Sequence, residues 1–299
     1  MTDHDVIVVG AGPAGEHCAA ALAGGGLRVA IVERERLGGE CDYWACIPSK
    51  TLLRPGEALR AAREAPGAAE AVTGPIDVAA ALAWRDFMVR GYDDSGPQRW
   101  AEGEGIVVLR GAGRLAGPGV VEVDGARHTA EHVVLATGSD PVFPPIPGLR
   151  ELDGLWTNRE ATGMKEVPRR LLILGGGPVG VEMAQAVARF GGEVALVEGM
   201  DHVLAREPRP LGEAVAEVLR RDGVELHLGM HATSARREGG DYVLDFADGT
   251  SLRGDRLLVA TGRRPRLPEG IERLEVDERC AAGDGLWAIG DCTGVWPLT

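Results

Sequence analysis

Short apolar runs, each closed by a glycine or an acid, organise the chain. Val6-Ile7-Val8-Val9, after Asp5, is β-branched and lacks polar alternation, which predicts a strand buried on both faces, as in a parallel sheet. It opens into Gly10-Ala11-Gly12-Pro13-Ala14-Gly15 and an Ala-rich stretch that predicts a helix through Ala23. A second run, Val29-Ala30-Ile31-Val32, ends at Glu33. The same succession returns later: Leu171-Leu172-Ile173-Leu174, then Gly175-Gly176-Gly177-Pro178-Val179-Gly180, a helix, and Val194-Ala195-Leu196-Val197 closed by Glu198. No apolar run approaches the ~18 residues of a membrane span, and the start, MTDHDVIVVG, lacks the basic flank of a signal peptide. A cytoplasmic protein with no membrane partner is expected.

Gly10, Gly12, Gly15 and Glu33 map onto Gly175, Gly177, Gly180 and Glu198 with one constant offset of 165. One G-x-G-x-x-G is a weak signal. Two copies, each between strand and helix and each followed by an acid at the same distance, predict two dinucleotide sites. The first glycine permits the tight turn, the second lets backbone approach a pyrophosphate, and the third lets helix and strand pack closely. Amide groups at the helix start then meet phosphate. Glu33 and Glu198 are expected to accept from a ribose diol, and a carboxylate there repels a 2′-phosphate. The second site should therefore prefer NAD(H), with Arg206 nearby working against that preference. A third repeated element is Ala136-Thr137-Gly138 after His132–Leu135, matched by Ala260-Thr261-Gly262 after Arg256–Val259. Its offset is 124 rather than 165, so the first copy holds 41 extra residues, taken to include the segment after Glu33. The fold class follows: α/β, with two doubly wound Rossmann-like dinucleotide-binding domains.

Composition narrows the function. A length of 299 residues suits about two domains, and 44% hydrophobic residues suffice for a real core. A net charge of -13 argues against a nucleic-acid partner, because phosphate backbones call for clustered cations. The 44 glycines follow no linker-like or collagen-like period, which assigns them to tight turns. Of 32 basic residues only Lys50 and Lys165 are lysine. Codon drift accounts for the bias in general, yet a lysine kept in such a chain hints at a place that arginine does not serve.

Five cysteines occur, and only Cys41 and Cys46 are close together, in Leu37-Gly38-Gly39-Glu40-Cys41-Asp42-Tyr43-Trp44-Ala45-Cys46-Ile47-Pro48-Ser49-Lys50. A structural disulfide, a zinc site, two inert core thiols and a redox-active dithiol all compete for this pair. Zinc needs two further ligands, and no second Cys or His pair is spaced to supply them, so no metal is expected. For redox chemistry, Pro48 favours the first turn of a helix, which places Cys46 at a helix start where the dipole favours a thiolate. Lys50, one turn on, adds positive charge. Cys18 reads as a small core filler on the first helix.

Together, GAGPAG, GGECDYWACIPSK, LATGSDP, GGGPVGVE, VATGRRP and WAIGDCTG resemble the flavoprotein (pyridine nucleotide-) disulfide oxidoreductases over residues 5–294, in that family's order. The CIPSK ending is similar to the dihydrolipoamide dehydrogenase and mercuric reductase branch. The chain departs from it at Glu40, where Thr is usual, and at Asp42-Tyr43-Trp44-Ala45. The resemblance implies FAD at the first site and NAD(H) at the second, with Glu33 on the adenosine ribose and Gly290-Asp291 on the ribityl chain. Ala136, Thr137, Gly138 and Gly262 join the cofactor-binding set. The resemblance also implies that Cys46 is the thiol beside the flavin, that Cys41 exchanges with substrate, and that Lys50 pairs with Glu182. The domains implied are 1–148 for FAD, 149–268 for NAD, and 269–299 returning to FAD, with the Pro-rich stretch 141–148 as crossover linker.

In the family a C-terminal interface domain supplies an acid–base His to the partner subunit. No His follows His231, and no His-x4-Glu follows the flavin motif. A truncated chain of a homodimeric enzyme is therefore expected. The leading expectation is an FAD-dependent NADH:disulfide oxidoreductase acting on a small disulfide such as lipoamide. A flavoprotein quinone reductase or transhydrogenase, with the cysteines peripheral, and a non-catalytic NADH-sensing module are the alternatives.

Overall fold

A computed structural model of the chain describes residues 2–295, so the last four residues of the expected return segment lie outside it. Contacts divide the chain into two compact units. The first runs from the N-terminus to Tyr43, over Val89–Asp140, and from Arg263 on; the second comprises Trp44–Met88 and Pro141–Gly262.

In the first unit, the strand His4–Val9 lies between Val29–Glu33 and Ala126–Leu135, parallel to both. Val107–Arg110 extends the sheet on one side and Leu286–Ala288 on the other, again in parallel. The order thus reverses at His4–Val9, the place where a doubly wound sheet opens a ligand crevice at its carboxyl edge. The predicted run Val6–Val9 is buried on both sides, as continuous apolar strands of parallel sheets are. The helix Pro13–Gly24 covers one face, where Ala19 packs with Val8, Ile31 and Ile106. The other face is closed by antiparallel strands that place Val121 and Val123 on Ile7, Val9 and Val32.

The second unit repeats the plan. Arg170–Leu174 lies between Glu193–Glu198 and Arg256–Val259, with Glu225–Leu228 at the edge, all parallel. Helices Pro178–Arg189 and Arg209–Arg221 cover one face. The other is closed by the antiparallel sheet Ala232–Glu238, Asp241–Phe246 and Ser251–Gly254, through Tyr242, Leu244 and Phe246. In both units, then, the second layer is antiparallel β rather than a second helical layer. The period of the sheet strands does not reveal what covers them.

The extra residues of the first copy are a helical excursion. Between Glu198 and Glu225–Leu228 stands one helix, Arg209–Arg221. Between Glu33 and Val107–Arg110 stand Gly39–Trp44, Cys46–Glu64, Val78–Met88 and Ser95–Gly103. Residues 44–88 of this excursion belong to the second unit, because Leu52, Leu53, Ala81 and Leu82 share a core with Ile173, Met183 and Val187. The contact division therefore departs from the expected 1–148, 149–268 and 269–299 in these residues. It also places Pro141–Gly148 in the second unit. Phe143 and Ile146 pack on that unit's β layer, and Gly148 lies so near the Ala235 carbonyl that a Cβ would stand 2.1 Å from it. This stretch is packed structure rather than a loose linker.

Helix Val78–Met88 inverts the usual burial. Phe87 is 74% exposed and Trp84 40%, while Arg85 between them is fully buried. Arg85 is tolerated there because its guanidinium donates to the carbonyls of Thr162 and Met164, and its Nε donates to Asp86 (2.8 Å). The Thr162 carbonyl is an orphan acceptor at the end of helix Asn158–Thr162, which needs a donor and favours a cation, and that of Met164 lies two residues beyond the helix. Replacing Arg85 by Met is expected to strand both acceptors and destabilise the second unit by about 3 kcal/mol, measured by urea unfolding.

Candidate active site

The two nucleotide loops have the same geometry. Gly10 is left-handed (φ 107°), and a Cβ on it would stand 2.3 Å from the Ala136 carbonyl oxygen. A Cβ on Gly15 would stand 1.9 Å from the Gly10 oxygen, while Gly12 has nothing within 4 Å. In the second loop, Gly175 (φ 105°) faces the Ala260 oxygen at 2.3 Å, Gly180 faces the Gly175 oxygen at 2.0 Å, and Gly177 is again open. The outer glycines are thus required by backbone contact and the middle one leaves space for a ligand. Helices Pro13–Gly24 and Pro178–Arg189 start at Gly12 and Gly177 with no side-chain cap. Uncapped helix starts beside an open glycine fit a diphosphate.

The acids do more than face a ribose. The Glu33 carboxylate accepts from the amides of Ala11 (2.9 Å) and Glu35 (2.7 Å). Glu198 accepts from Gly176 (2.6 Å) and Met200 (2.8 Å), the same positions 165 residues on. Each carboxylate therefore ties its own loop to the end of the next strand, and with about four lone-pair sites it keeps acceptor capacity for a diol. Arg206 is exposed.

The ATG turns brace these loops. The carbonyls of Ala136 and Ala260 meet Gly10 and Gly175. The Thr137 hydroxyl donates to the Arg266 carbonyl (2.5 Å), and that of Thr261 to Val142 (2.7 Å). Gly138 and Gly262 are left-handed, at φ 73° and 109°. Gly290–Thr293 forms a short turn after Leu286–Ala288, and Asp291 accepts from the Ser139 hydroxyl at 2.8 Å. Arg263 donates to the same hydroxyl (2.8 Å) and to the Ser139 carbonyl (2.7 Å), and lies 3.9 Å from Glu40. Sequence reasoning missed Ser139 and Arg263. The available signal was that each directly follows an ATG-type turn, with Ser139 after Gly138 and Arg263 after Gly262.

The cysteine segment begins at Gly38 and Gly39, both left-handed (φ 101° and 57°). A Cβ on Gly39 would stand 2.7 Å from the Gly12 Cα, so this glycine lets the segment cross the first nucleotide loop at backbone contact. Cys41 lies half-buried in helix Gly39–Trp44. Asp42 pairs with Arg90 at 2.9 Å, and buried Tyr43 stacks on Tyr92. Arg90, Gly91 and Tyr92 are three successive left-handed residues, two of them not glycine, a strained turn held against this helix. Cys46 is exposed as the first residue of Cys46–Glu64, and Pro48 falls in that helix's first turn, as expected. Lys50 and Glu182 form the expected pair, with Nζ 2.8 and 3.1 Å from the two carboxylate oxygens. Burial raises the thiols of Cys18 and Cys292 above the ordinary range, which suits packing roles. Among the described residues, no group of three or more His, Cys, Asp or Glu side chains is arranged to hold a metal, and no helix is long and apolar enough to cross a membrane.

The arrangement of paired glycine loops, doubled acids and a dithiol segment seated on the first loop has a counterpart among known proteins. The model of the family "Pyridine nucleotide-disulphide oxidoreductase" matches residues 4–299. The chain belongs to that family. Its members use FAD and NAD(P)H. The chain is 34% identical to a dihydrolipoyl dehydrogenase of Thermus scotoductus, over 97% of this chain and 66% of that protein. It is also 34% identical to a mercuric reductase of Acidithiobacillus ferrooxidans, over 96% of this chain and 56% of that protein. The HOCl-induced flavoprotein disulfide reductase RclA of Escherichia coli superposes with a TM-score of 0.82 at 29% identity, covering 98% of this chain and 67% of RclA. The chain thus spans about two thirds of the dehydrogenase and just over half of the mercuric reductase.

Glu16, in the first turn of Pro13–Gly24, gives the loop region a titration near neutrality. Its Oε1 is buried without a hydrogen-bond partner. Burial pushes its carboxyl up to about 7, with Asp42 adding to the rise and Arg90 opposing it. A carboxyl raised in the fold stabilises the fold below the unfolded value and loses that contribution as pH rises through about 7. Glu16→Gln is therefore expected to raise Tm at pH 8 and to leave it little changed at pH 4, as read by thermal unfolding at the two pH values.

Proposed function

We propose that the protein is a cytoplasmic FAD-dependent NADH:disulfide oxidoreductase whose electrons reach a small external disulfide, of the lipoamide kind, through a Cys41–Cys46 disulfide. The seating of Gly39 on Gly12 carries the reading, because it joins the cysteine segment to the first nucleotide loop at backbone distance. On this reading the unit of Gly10, Gly12, Gly15, Glu33 and Asp291 holds FAD and that of Gly175, Gly177, Gly180 and Glu198 holds NAD(H). Bound FAD supplies a two-electron relay between nicotinamide and disulfide.

The chain's own residues do the thiol chemistry. The Cys41–Cys46 disulfide takes up two electrons and two protons and becomes a dithiol. The Cys41 thiolate attacks one sulfur of the substrate disulfide, and the first substrate thiol leaves with a proton. The Cys46 thiolate then attacks Cys41 Sγ in the mixed disulfide, which re-forms the internal bond and releases the second thiol. The start of Cys46–Glu64 favours the thiolate at Cys46.

With FAD bound and the cysteines oxidised, stoichiometric NADH under argon is expected to expose two alkylatable thiols, located by mass spectrometry at Cys41 and Cys46. NADH-dependent disulfide reduction should vanish in Cys41→Ser. Quinone reduction with the two cysteines still oxidised would overturn the proposal in favour of a quinone reductase, and binding of both nucleotides without any electron transfer would favour a sensor.

Lys50 bears on the NADH step. Its salt bridge to Glu182 uses a compact ammonium, and a forked guanidinium does not occupy the same space. Lys50→Arg is expected to slow flavin bleaching by NADH about tenfold in stopped flow and to leave FAD content unchanged.

A further inference from the structure

Two buried polar side chains of the second unit converge on one carbonyl that lies between the two cysteines. Trp44 ends the helix Gly39–Trp44, so its carbonyl has no partner within that helix. Asn158 Nδ2 donates to it at 2.9 Å, and Thr162 Oγ1, at 3.2 Å from it and 2.8 Å from the Asn158 carbonyl, stands within reach of both. Asn158 is 6% exposed and Thr162 2%. Arg159, on the same short helix, sets its guanidinium 4.0 Å from the Trp44 ring centre, a cation–π contact. The helix is itself fixed at both ends. Thr157 and Glu160 form a capping box at its start, and Arg85 holds the carbonyl of Thr162, its last residue, together with that of Met164 just beyond.

The next residue after Trp44 is Ala45, with φ −135° and ψ −98°, outside the common backbone regions, and Cys46 follows as the first residue of its helix. The break between the two cysteine helices is thus one residue long, strained, and held at the carbonyl that precedes it.

We propose that Asn158 and Thr162 are positioning residues for the dithiol: by pinning the Trp44 carbonyl they fix the break at Ala45 and thereby set how readily Cys41 and Cys46 close into a disulfide. The inference rests on the Cys41–Cys46 redox reading and adds to it the residues that tune the pair. A fixed break raises the effective concentration of one thiol at the other, and a loosened break lowers it. Closing the disulfide releases two electrons and two protons to the thiol–disulfide buffer, and opening it takes them back, so the balance with such a buffer measures this tuning directly. Arg85, remote in sequence, enters only by holding the helix that carries the two donors.

The test needs no nicotinamide. The holoprotein and its Asn158→Ala, Thr162→Val and Thr162→Ser variants are equilibrated in graded reduced and oxidised glutathione, quenched with acid and alkylated. The Cys41–Cys46 disulfide fraction is then read by mass spectrometry, with thermal unfolding measured in parallel. Asn158→Ala and Thr162→Val are each expected to shift the equilibrium constant about fivefold toward the dithiol, the value of one lost hydrogen bond, and Thr162→Ser to retain the wild-type constant. Equal constants in all four proteins, whatever their melting temperatures, would overturn the inference alone and leave the donors as plain structural groups. A wild-type protein that forms no Cys41–Cys46 disulfide in any buffer would overturn the redox reading, and the inference with it.

Discussion

Each nucleotide loop depends on backbone meeting backbone without a side chain between. The helix after the first strand can start where it does because the Gly15 Cα lies against the Gly10 carbonyl, and Gly10 in turn lies against the Ala136 carbonyl. Any Cβ at either position would stand inside 2.5 Å of an oxygen, so the approach admits no other residue. Once the turn is that tight, the middle glycine faces open space and the helix presents uncapped amides there. The second unit reaches the same solution with Gly175, Gly180 and Ala260. Glu33 and Glu198 complete it by drawing the second residue of each loop and the chain after the next strand onto one carboxylate. The acid at this position is therefore part of the loop's own structure, whatever else it binds.

From this constraint the place of the cysteines follows. A third layer of backbone, Gly38-Gly39, crosses Gly12, and the helix of Cys41 begins immediately after it. The chain then leaves the first unit at Trp44 and spends residues 44–88 in the core of the second before it returns at Val89. The excess of the first copy over the second is this excursion. Its cost in backbone order is offset by apolar burial at Leu52, Leu53, Ala81 and Leu82 and by the pairing of Lys50 with Glu182.

Much of this was legible in the sequence, and the reason is local. Glycine spacing, β-branched runs and the acid at the strand end are each dictated by a few neighbouring residues, so both loops and their strands could be read directly, whereas the Lys50–Glu182 pair, 132 positions apart, came only from the family resemblance. What escaped depends on partners far along the chain. Arg85 reads as a polar position on a helix between Trp84 and Phe87, and only the carbonyls of Thr162 and Met164 explain why it is the buried one. Ser139 meets Asp291 across 152 positions. The antiparallel layers were invisible for a related reason: a strand buried on both faces looks the same whether a helix or another sheet covers it.

Three of the side chains at which the segment departs from the family's usual pattern, Glu40, Asp42 and Trp44, share a feature. Glu40 lies 3.9 Å from Arg263, Asp42 pairs with Arg90 at 2.9 Å, and the Trp44 ring lies under Arg159 at 4.0 Å. Each of these three has a guanidinium beside it, in a chain whose basic residues are almost all arginine. A planar fork can bond a hydroxyl while facing a carboxylate, as Arg263 does with Ser139 at 2.8 Å and Glu40 at 3.9 Å, or lie flat on an indole. An ammonium does neither as well. An arginine-rich composition therefore supplies the cation best suited to hold an altered dithiol segment. Lys50, beside that segment and paired with Glu182 by both oxygens, marks the one place there where a point charge is used instead.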